Sequence, residues 1–291
     1  MTQTQQLTTK QFFERDGVKK KFEELLGKKA PQFITSVLQI SNNNKLLQNA
    51  TPESIFNAAV MAATLDLPIN QNLGFAWIVP YKGQAQFQIG WKGFVQLALR
   101  TGQYKNINVT EVYENQFKGF NALTEDLDAD FSKEPFGKIV GYVAYFKLIN
   151  GFEKTVYWND SKVIAHASKY SQAYKSANGI TPWKDADQYQ EMAKKTVLKN
   201  TLNKWGILSV EMERATISDQ AVINNPETLD VNYIDNTVAE ADKVEERIKA
   251  MINDCKSNEE LLNLREHLIF EKVILSAEND KLLHEKLELL K

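Results

Sequence analysis

The chain has 291 residues, of which 43% are hydrophobic and 25% are charged, and this composition is that of a folded globular protein rather than of a disordered one. No run approaches the ~20 consecutive apolar residues that a membrane helix needs. The single cysteine, Cys255, excludes an intrachain disulfide and a cysteine metal cluster. The N-terminal sequence MTQTQQLTTKQFF lacks the charged-then-apolar order of a secretory signal, so a cytoplasmic location is predicted.

The formal net charge of −2 conceals an uneven distribution of charge along the chain. From Pro226 to the end there are 16 acidic and 9 basic residues, a net charge of −7. Residues 1–225 carry 26 basic and 21 acidic residues, a net charge of +5. A moderately basic body with an acidic tail points weakly towards polyanionic partners and says nothing about the fold.

The first part of the chain, residues 10–66, is predicted to be helical. Apolar residues recur there at helical spacing, and Gly27 ends the first helix. Pro31 opens the second helix. Thr51 fits an N-cap and Pro52 fits the first position of a third helix.

A two-residue period then replaces the helical one. Residues 75–79 and 85–89 alternate, and the segment Pro80-Tyr81-Lys82-Gly83 between them is typical of a turn, so a hairpin is predicted. The polar face of this hairpin is expected to carry three glutamines: Gln84, Gln86 and Gln88.

Helices and strands continue to residue 205. The predicted elements are a helix over 91–101, a strand over 107–113, a strand pair over 138–158 that folds back at Asn150-Gly151, a helix over 161–170, a loop over 171–184 and a long helix over 185–205. The sequence therefore predicts an α+β fold, in which a small antiparallel sheet with a protruding hairpin is packed by helices.

The region after residue 220 contains few large apolar groups until helical periodicity returns near Asp242. Ser257 and Glu260 have the spacing of a capping box. We predict three regions, namely a first domain over 1–225, a linker over 226–241 and a small acidic helical domain over 242–291.

Sequence motifs for common catalytic chemistry do not occur. There is no Walker A sequence, and the three histidines are scattered without zinc spacing. Asp126, Asp128 and Asp130 resemble the start of a calcium loop, but Phe131 replaces the turn glycine and Gly137 stands where the bidentate glutamate belongs. We interpret this segment as a solvated acidic loop, with weak magnesium binding or a two-metal nuclease site as the alternative. No cofactor, metal or catalytic residue is predicted.

The helix from Trp91 has a polar stripe. Lys92, Gln96 and Arg100 fall four residues apart, which fits contact with a phosphate backbone, and a solvated face is the alternative. Aromatic residues beside lysines in loops are candidates for base stacking. These pairs are Tyr81-Lys82, Tyr174-Lys175 and Trp183-Lys184.

The long helix over 185–205 carries Lys194, Lys195 and Lys199 among apolar residues. Lysines on a mostly buried helix must reach either water or an anion. The floor of an anion-binding groove would satisfy them, and extension of their side chains to solvent is the alternative.

Several segments in a fixed order over residues 10–220 are more specific than any basic patch. They are 63–70 (ATLDLPIN), 74–81 (GFAWIVPY), 87–100 (FQIGWKGFVQLALR), 157–158 (YW), 183–184 (WK) and 192–199 (MAKKTVLK). In this order they resemble the RecT family of phage single-strand DNA annealing proteins. The tail after residue 220 carries no segment that resembles a known family.

The resemblance implies ATP-independent binding of single-stranded DNA and annealing of complementary strands in homologous recombination, by an oligomer that forms a ring or a helical filament. It also implies a basic groove between the sheet, the hairpin and the helices. Carried to the matching positions, the expected groove residues are Lys82, Gln88, Lys92, Arg100, Lys175, Trp183, Lys194, Lys195 and Lys199.

Two other classes of protein stay open on the sequence alone. One is a passive coat protein that binds single strands without pairing them, and the other is a metal-dependent nuclease that uses the acidic loop. Charge reversal at Lys195 and Lys199 is expected to abolish DNA binding and to leave the fold intact. The C-terminal domain is expected to dock a phage exonuclease or a host single-strand-binding protein, and a bundle that only aids solubility is the alternative.

Overall fold

The computed structural model describes residues 7–175, 181–233, 248–249, 251–255, 257–270 and 277–289. The chain divides into two units, Met1–Tyr233 and Ile234–Lys291. No helix among the described residues is both long enough and apolar enough to cross a membrane.

The first unit begins with a run of helices, which is followed by strands and further helices. Its helices are α1 (Thr9–Phe13), α2 (Asp16–Leu26), α3 (Ala30–Asn43), α4 (Lys45–Gln48), α5 (Pro52–Thr64), α6 (Trp91–Arg100), α7 (Asp160–Tyr170), α8 (Gln172–Lys175), α9 (Ala186–Trp205) and α10 (Val210–Ser218). Its strands are β1 (Ala76–Tyr81), β2 (Gln84–Ile89), β3 (Tyr104–Tyr113), β4 (Phe117–Asn121), β5 (Asp126–Ala129), β6 (Ile139–Leu148), β7 (Glu153–Asn159), β8 (Ala221–Asn225) and β9 (Asp230–Asn232). The predicted α+β class is confirmed.

Helices α1–α5 pack around aromatic rings at the N-terminal end, as the apolar spacing predicts. The rings of Phe13 and Phe22 stack with centroids 6.0 Å apart, and Phe56 meets both edge-on. Helix α5 begins where predicted, since the Thr51 side chain accepts a hydrogen bond from the Ser54 backbone N–H.

The predicted hairpin forms β1 and β2, but it belongs to a larger antiparallel sheet with the order β1-β2-β8-β9. Gln86 of β2 pairs with Val222 of β8 and is only 2% exposed, so the expected polar face is covered there. The hairpin tip does not stand free, because the Gly83 carbonyl accepts the backbone N–H of Thr51 at the start of α5. Strand β8 arrives from far along the chain, and local alternation could not reveal it.

A second antiparallel sheet has the order β3-β6-β7. The turn between β6 and β7 lies at Asn150-Gly151, as predicted, and Gly151 adopts a φ of 92° that favours glycine. Tyr142, Phe146 and Trp158 point from this sheet into the main core. Helices α7 and α9 pack against that side of the sheet.

The predicted acidic loop is in part a strand. Asp126 and Asp128 belong to β5, which pairs with β4 in a separate two-stranded sheet. The expectation of a loop was wrong because Leu127 and Ala129 alternate with the acids and pack beside Tyr157 on the second sheet. Asp128 lies 3.8 Å from the ammonium group of Lys118.

The second unit contains α11 (Asn258–Phe270) and α12 (Ala277–Leu289). Its core is apolar and consists of Ile248, Ile252, Leu261, Leu264, Leu268 and Leu283. Ser257 accepts a hydrogen bond from the Glu260 backbone N–H, as the capping spacing predicts. The predicted linker begins at residue 226, whereas Asp230–Asn232 pairs with β8, so the first unit continues to Tyr233. The rest of that linker, 234–241, lies outside the described residues.

Candidate nucleic-acid interface

Lys195 and Lys199 of α9 share one buried carboxylate. Their Nζ atoms lie 2.7 Å from Asp219 Oδ1 and 2.7 Å from Asp219 Oδ2, respectively. Burial raises the pKa of the Asp219 carboxyl, but the two ammonium groups outweigh burial and hold that pKa below its usual range. The Lys195 side chain is 7% exposed, whereas that of Lys199 is 27% exposed. Lys195 therefore faces inward, and we expect charge reversal there to destabilise the fold, whereas the sequence alone predicted an intact fold.

Lys194 is also held by carboxylates. Its Nζ atom lies 2.7 Å from Glu191 and 3.0 Å from Glu111, and it is 5.3 Å from the centre of the Trp91 ring. The Trp91 indole N–H donates to Glu191 at 2.7 Å. Lys92 is exposed beside the same ring, at 5.6 Å from its centre. Of the two predicted lysines beside Trp91, Lys92 is exposed to solvent. Lys194 connects α9 to β3 through Glu111 and to α6 through Trp91.

Arg100 ends α6 and caps α5. Its guanidinium donates to the carbonyl oxygens of Leu65 at 2.6 Å and Asp66 at 2.7 Å, the two residues that follow α5. The Asp66 carboxylate lies 3.8 Å away. Carbonyl groups at the end of a helix need hydrogen-bond donors, and Arg100 supplies them after α5. The i, i+4 spacing of Lys92, Gln96 and Arg100 did not predict this stabilising role.

Trp183 is a core residue. It is 6% exposed and packs edge-on against Tyr174 and Tyr189, with ring centroids 6.0 Å and 5.7 Å away. The prediction of a stacking platform rested on its position in a polar segment next to a lysine. Burial of the ring among tyrosines contradicts that prediction, since a base needs an accessible ring face.

The other predicted residues lie on separate elements. Lys82 is exposed at the β1–β2 turn, 5.3 Å from the centre of the Tyr81 ring. Gln88 is half-buried on β2, and Lys175 is exposed at the end of α8.

A basic and aromatic surface, of which the sequence predicted only Lys199, lies along α7 and the C-terminal half of α9. We call it the α7–α9 surface. Its residues are basic or aromatic: Lys154, Lys162, His166, Lys169, Tyr170, Lys199, Lys204 and Trp205.

At one end of this surface, side chains alternate between cation and ring. Lys162 lies 4.6 Å from the centre of the buried Trp158 ring, and the His166 ring lies 5.3 Å from that of Trp158. His166 is 4.7 Å from Tyr170, whose ring is also covered by Lys169 at 5.1 Å. Tyr170 is 57% exposed, so part of its ring is accessible to a ligand.

At the other end, Trp205 lies beside two lysines. The Nζ atoms of Lys154 and Lys204 are 4.4 Å and 4.9 Å from its ring centre, and the ring is 36% exposed. Each ammonium gains from the electron-rich face of the indole. Glu125, at the β4–β5 turn, lies 2.5 Å from Lys154 and 3.9 Å from Lys204.

His166 joins the α7 residues to Lys199. Burial lowers the pKa of the His166 imidazole, and the positive charges of Lys199 and Lys169 lower it further. Lys199 and Lys169 therefore both lie close enough to His166 to disfavour its charged form.

The α7 residues Lys162, His166, Lys169 and Tyr170 share one helix face by their i, i+4, i+7 and i+8 spacing. Eight residues of helix rise ~12 Å, about three phosphate spacings of a nucleic-acid strand. The sequence did contain this signal. The lysine–aromatic adjacency that marks the predicted loop pairs also occurs at two helix ends, in Lys169-Tyr170 and Lys204-Trp205.

A model described as the RecT family matches residues 31–232. The chain belongs to the RecT family. It is 51% identical over 217 residues to the uncharacterized protein YqaK of Bacillus subtilis (strain 168), covering 75% of this chain and 74% of that protein. It is 28% identical over 196 residues to Protein RecT of Escherichia coli (strain K12), covering 63% of this chain and 68% of that protein.

RecT family membership supports a role in single-strand annealing during recombination and in binding single-stranded DNA. All residues of the α7–α9 surface lie within the match, which ends at residue 232. The second unit begins after that point. The family match therefore covers the helices and strands of the first unit from α3 to β9 and leaves the acidic tail outside.

Proposed function

We propose that this chain binds single-stranded DNA along the α7–α9 surface and anneals it to a complementary strand without ATP. The observation that carries the proposal is a row of five lysines with two exposed aromatic rings, Tyr170 and Trp205, inside the RecT family match. Lysines that replace counterions bind a DNA backbone without regard to sequence. Exposed rings add stacking that tolerates any base.

The proposed mechanism needs no covalent step. Lysines hold the phosphates on one side of the strand, and the Watson–Crick edges stay open to a second strand. Correct base pairing then supplies the specificity, and charge neutralisation by the protein lowers the repulsion between the two backbones. The chain acts in this proposal as an annealing protein and not as an enzyme.

Additional contacts extend the path in this proposal. Lys82, Lys92 and Lys175 are exposed cations of the first unit, and Gln88, four residues before Lys92, offers a half-buried amide. We assign Arg100, Lys194 and Lys195 to the fold instead. The Arg100 guanidinium donates to two backbone carbonyls, and the side chains of Lys194 and Lys195 are only 13% and 7% exposed beside their carboxylates.

The proposed active form is an oligomer that coats DNA as a ring or helical filament. The second unit, Ile234–Lys291, is proposed to dock a recombination partner such as an exonuclease or a host single-strand-binding protein. Because β9 pairs with β8, a deletion that tests this role must begin after Tyr233 and not at residue 226. Chain 1–233 should retain annealing and lose partner binding.

The experiment that tests the proposal follows two complementary fluorescent oligonucleotides without nucleotide across a salt series. Faster annealing with intact strands, weakening as salt rises, is expected. Binding without acceleration would instead identify a passive coat protein. Magnesium-dependent shortening of the strands would identify a nuclease and redirect attention to Asp126, Asp128 and Asp130.

A further inference from the structure

Glu125 is the carboxylate that lies within the basic end of the α7–α9 surface. Its Oε2 atom is 2.5 Å from Lys154 Nζ, and its Oε1 atom is 3.9 Å from Lys204 Nζ. Both ammonium groups also cover the Trp205 ring. The hydrogen bond from Lys154 has the largest effect in holding the pKa of Glu125 below its usual range, and the charges of Lys204 and Lys162 act in the same direction.

The arrangement around Glu125 fits a phosphodiester. A carboxylate and a phosphodiester each present two anionic oxygens and accept hydrogen bonds without donating any. Here the two oxygens of Glu125 face two different lysines beside an accessible indole. A strand whose phosphate took that position would place the adjoining base near Trp205, where stacking is available.

The turn that carries Glu125 is short and lies between two paired strands. Strands β4 and β5 are fixed by their own ladder and by apolar packing of Phe120 and Leu127 on Tyr157. The turn itself exposes Leu123, at 92%, and Glu125 has a φ of 59°, a region that glutamate rarely adopts. The Glu125 side chain is 27% exposed and that of Lys204 is 58% exposed, so solvent reaches this contact from the Lys204 side.

We propose that the Glu125 carboxylate occupies the position of a DNA phosphate, so that the β4–β5 turn is an internal competitor that single-stranded DNA displaces from Lys154 and Lys204. This inference rests on the proposed function, since it assigns a regulatory contact within the α7–α9 surface. In this proposal, DNA that binds at the Trp205 end replaces the Glu125 carboxylate with a phosphate.

The test compares Glu125→Gln with Asp128→Asn in the full chain, using equilibrium binding to a fluorescent oligonucleotide. The control removes one negative charge from the same hairpin, where Asp128 faces Lys118. Glu125→Gln should tighten binding by about two- to five-fold more than the control, the range set by one surface ion pair. Its plot of log affinity against log salt should steepen by about 0.7, as one gained phosphate contact requires.

Equal affinities of the two variants, or weaker binding by Glu125→Gln with an unchanged melting temperature, would overturn the inference. If Glu125→Gln melts at a lower temperature than wild type, the inference is tested instead by hydrogen–deuterium exchange of residues 121–126 in the wild-type chain, with and without DNA. Exchange should become faster when DNA binds and releases the turn, and slower or unchanged exchange would overturn the inference.

Lys154→Gln and Lys204→Gln separate this inference from the proposed function. If both variants weaken DNA binding and Glu125→Gln does not differ from Asp128→Asn, only the competitor role fails. If neither lysine variant changes DNA binding, the α7–α9 surface fails as well. In the Lys154→Gln background, Glu125→Gln should increase the affinity for DNA by less, because the lysine that this substitution would free is absent.

Discussion

Asp219 and Lys195 form a buried ion pair through which one carboxylate joins three parts of the first unit. The Asp219 side chain is 1% exposed and accepts from Lys195 at 2.7 Å, and it also accepts the Ile89 backbone N–H at 3.1 Å. Lys199 completes the set at 2.7 Å. The carboxylate thereby connects α9 to the end of β2 and to the start of β8.

Replacing Asp219 by asparagine should destabilise the fold strongly. The change leaves Lys195 buried without its counter-charge, and loss of one partner of a buried pair costs about 3–5 kcal/mol. Urea denaturation followed by circular dichroism measures the free energy of unfolding. The matched control, Asp128→Asn, removes an exposed partner and should cost at most ~1 kcal/mol. Equal losses in the two variants would show that the buried pair is not a strong restraint.

Arg100→Ala should lower stability and leave the salt dependence of DNA binding unchanged. Two charged hydrogen bonds to the carbonyls of Leu65 and Asp66 are lost, and each such bond contributes roughly 1.5–3 kcal/mol. Thermal melting measures the loss, with exposed Lys92→Ala as the control of unchanged stability. The opposite pattern, in which stability is unchanged and the salt slope falls, would make Arg100 a phosphate contact.

Trp205→Ala and Trp183→Ala should separate binding from folding. Trp205 is partly exposed beside two lysines, and loss of one stacked base should weaken single-strand binding by roughly 5- to 150-fold. Trp183 is buried, and its truncation should cost about 3–5 kcal/mol of stability. Fluorescence anisotropy and urea denaturation measure the two effects. A Trp205→Ala variant with normal affinity would remove that ring from the DNA path.

Stability should fall as the solution is acidified through the titration of His166. Burial, Lys199 and Lys169 lower the pKa of His166 in the folded chain, so the unfolded chain binds the proton more readily. The free energy of unfolding should therefore decline as pH falls below about 6.5, the usual histidine pKa, until the folded pKa is passed. His166→Gln should reduce this decline, whereas His284→Gln, at an exposed position, should keep it. Identical pH profiles of His166→Gln and wild type would contradict the assignment.

The sequence predicted those elements whose signals are local. The cap at Thr51, the turn at Lys82-Gly83 and the Asn150-Gly151 turn each depend on a few neighbouring residues, and all lie where expected. Sheet membership was different. The alternation of residues 85–89 predicted that Gln86 lies at the surface. In the structure Gln86 pairs with β8, a strand more than a hundred residues away in the chain, and this pairing could not be read from local sequence.

The roles of the predicted site residues also depend on contacts that are distant in sequence. Residue spacing places Lys195 and Arg100 on particular helix faces, but it does not identify the residues packed against those faces. Lys195 contacts Asp219, and Arg100 contacts the end of α5, and both partners are distant in sequence. The cluster around Trp205 likewise depends on β7 and on the β4–β5 turn, which bring Lys154 and Glu125 to the end of α9. Only the tertiary contacts separate the buried cations from the exposed ones.

The salt dependence of single-strand affinity tests most directly whether DNA follows the α7–α9 surface. Lys162 and Lys169 are exposed on one face of α7, and Lys19 and Lys20 are exposed on α2 as a control pair. Lys162→Gln with Lys169→Gln should reduce the magnitude of the salt slope by about 1.4, or 0.7 for each lost phosphate contact. Lys19→Gln with Lys20→Gln should leave the slope unchanged. If both double variants keep the wild-type slope, DNA does not follow this surface.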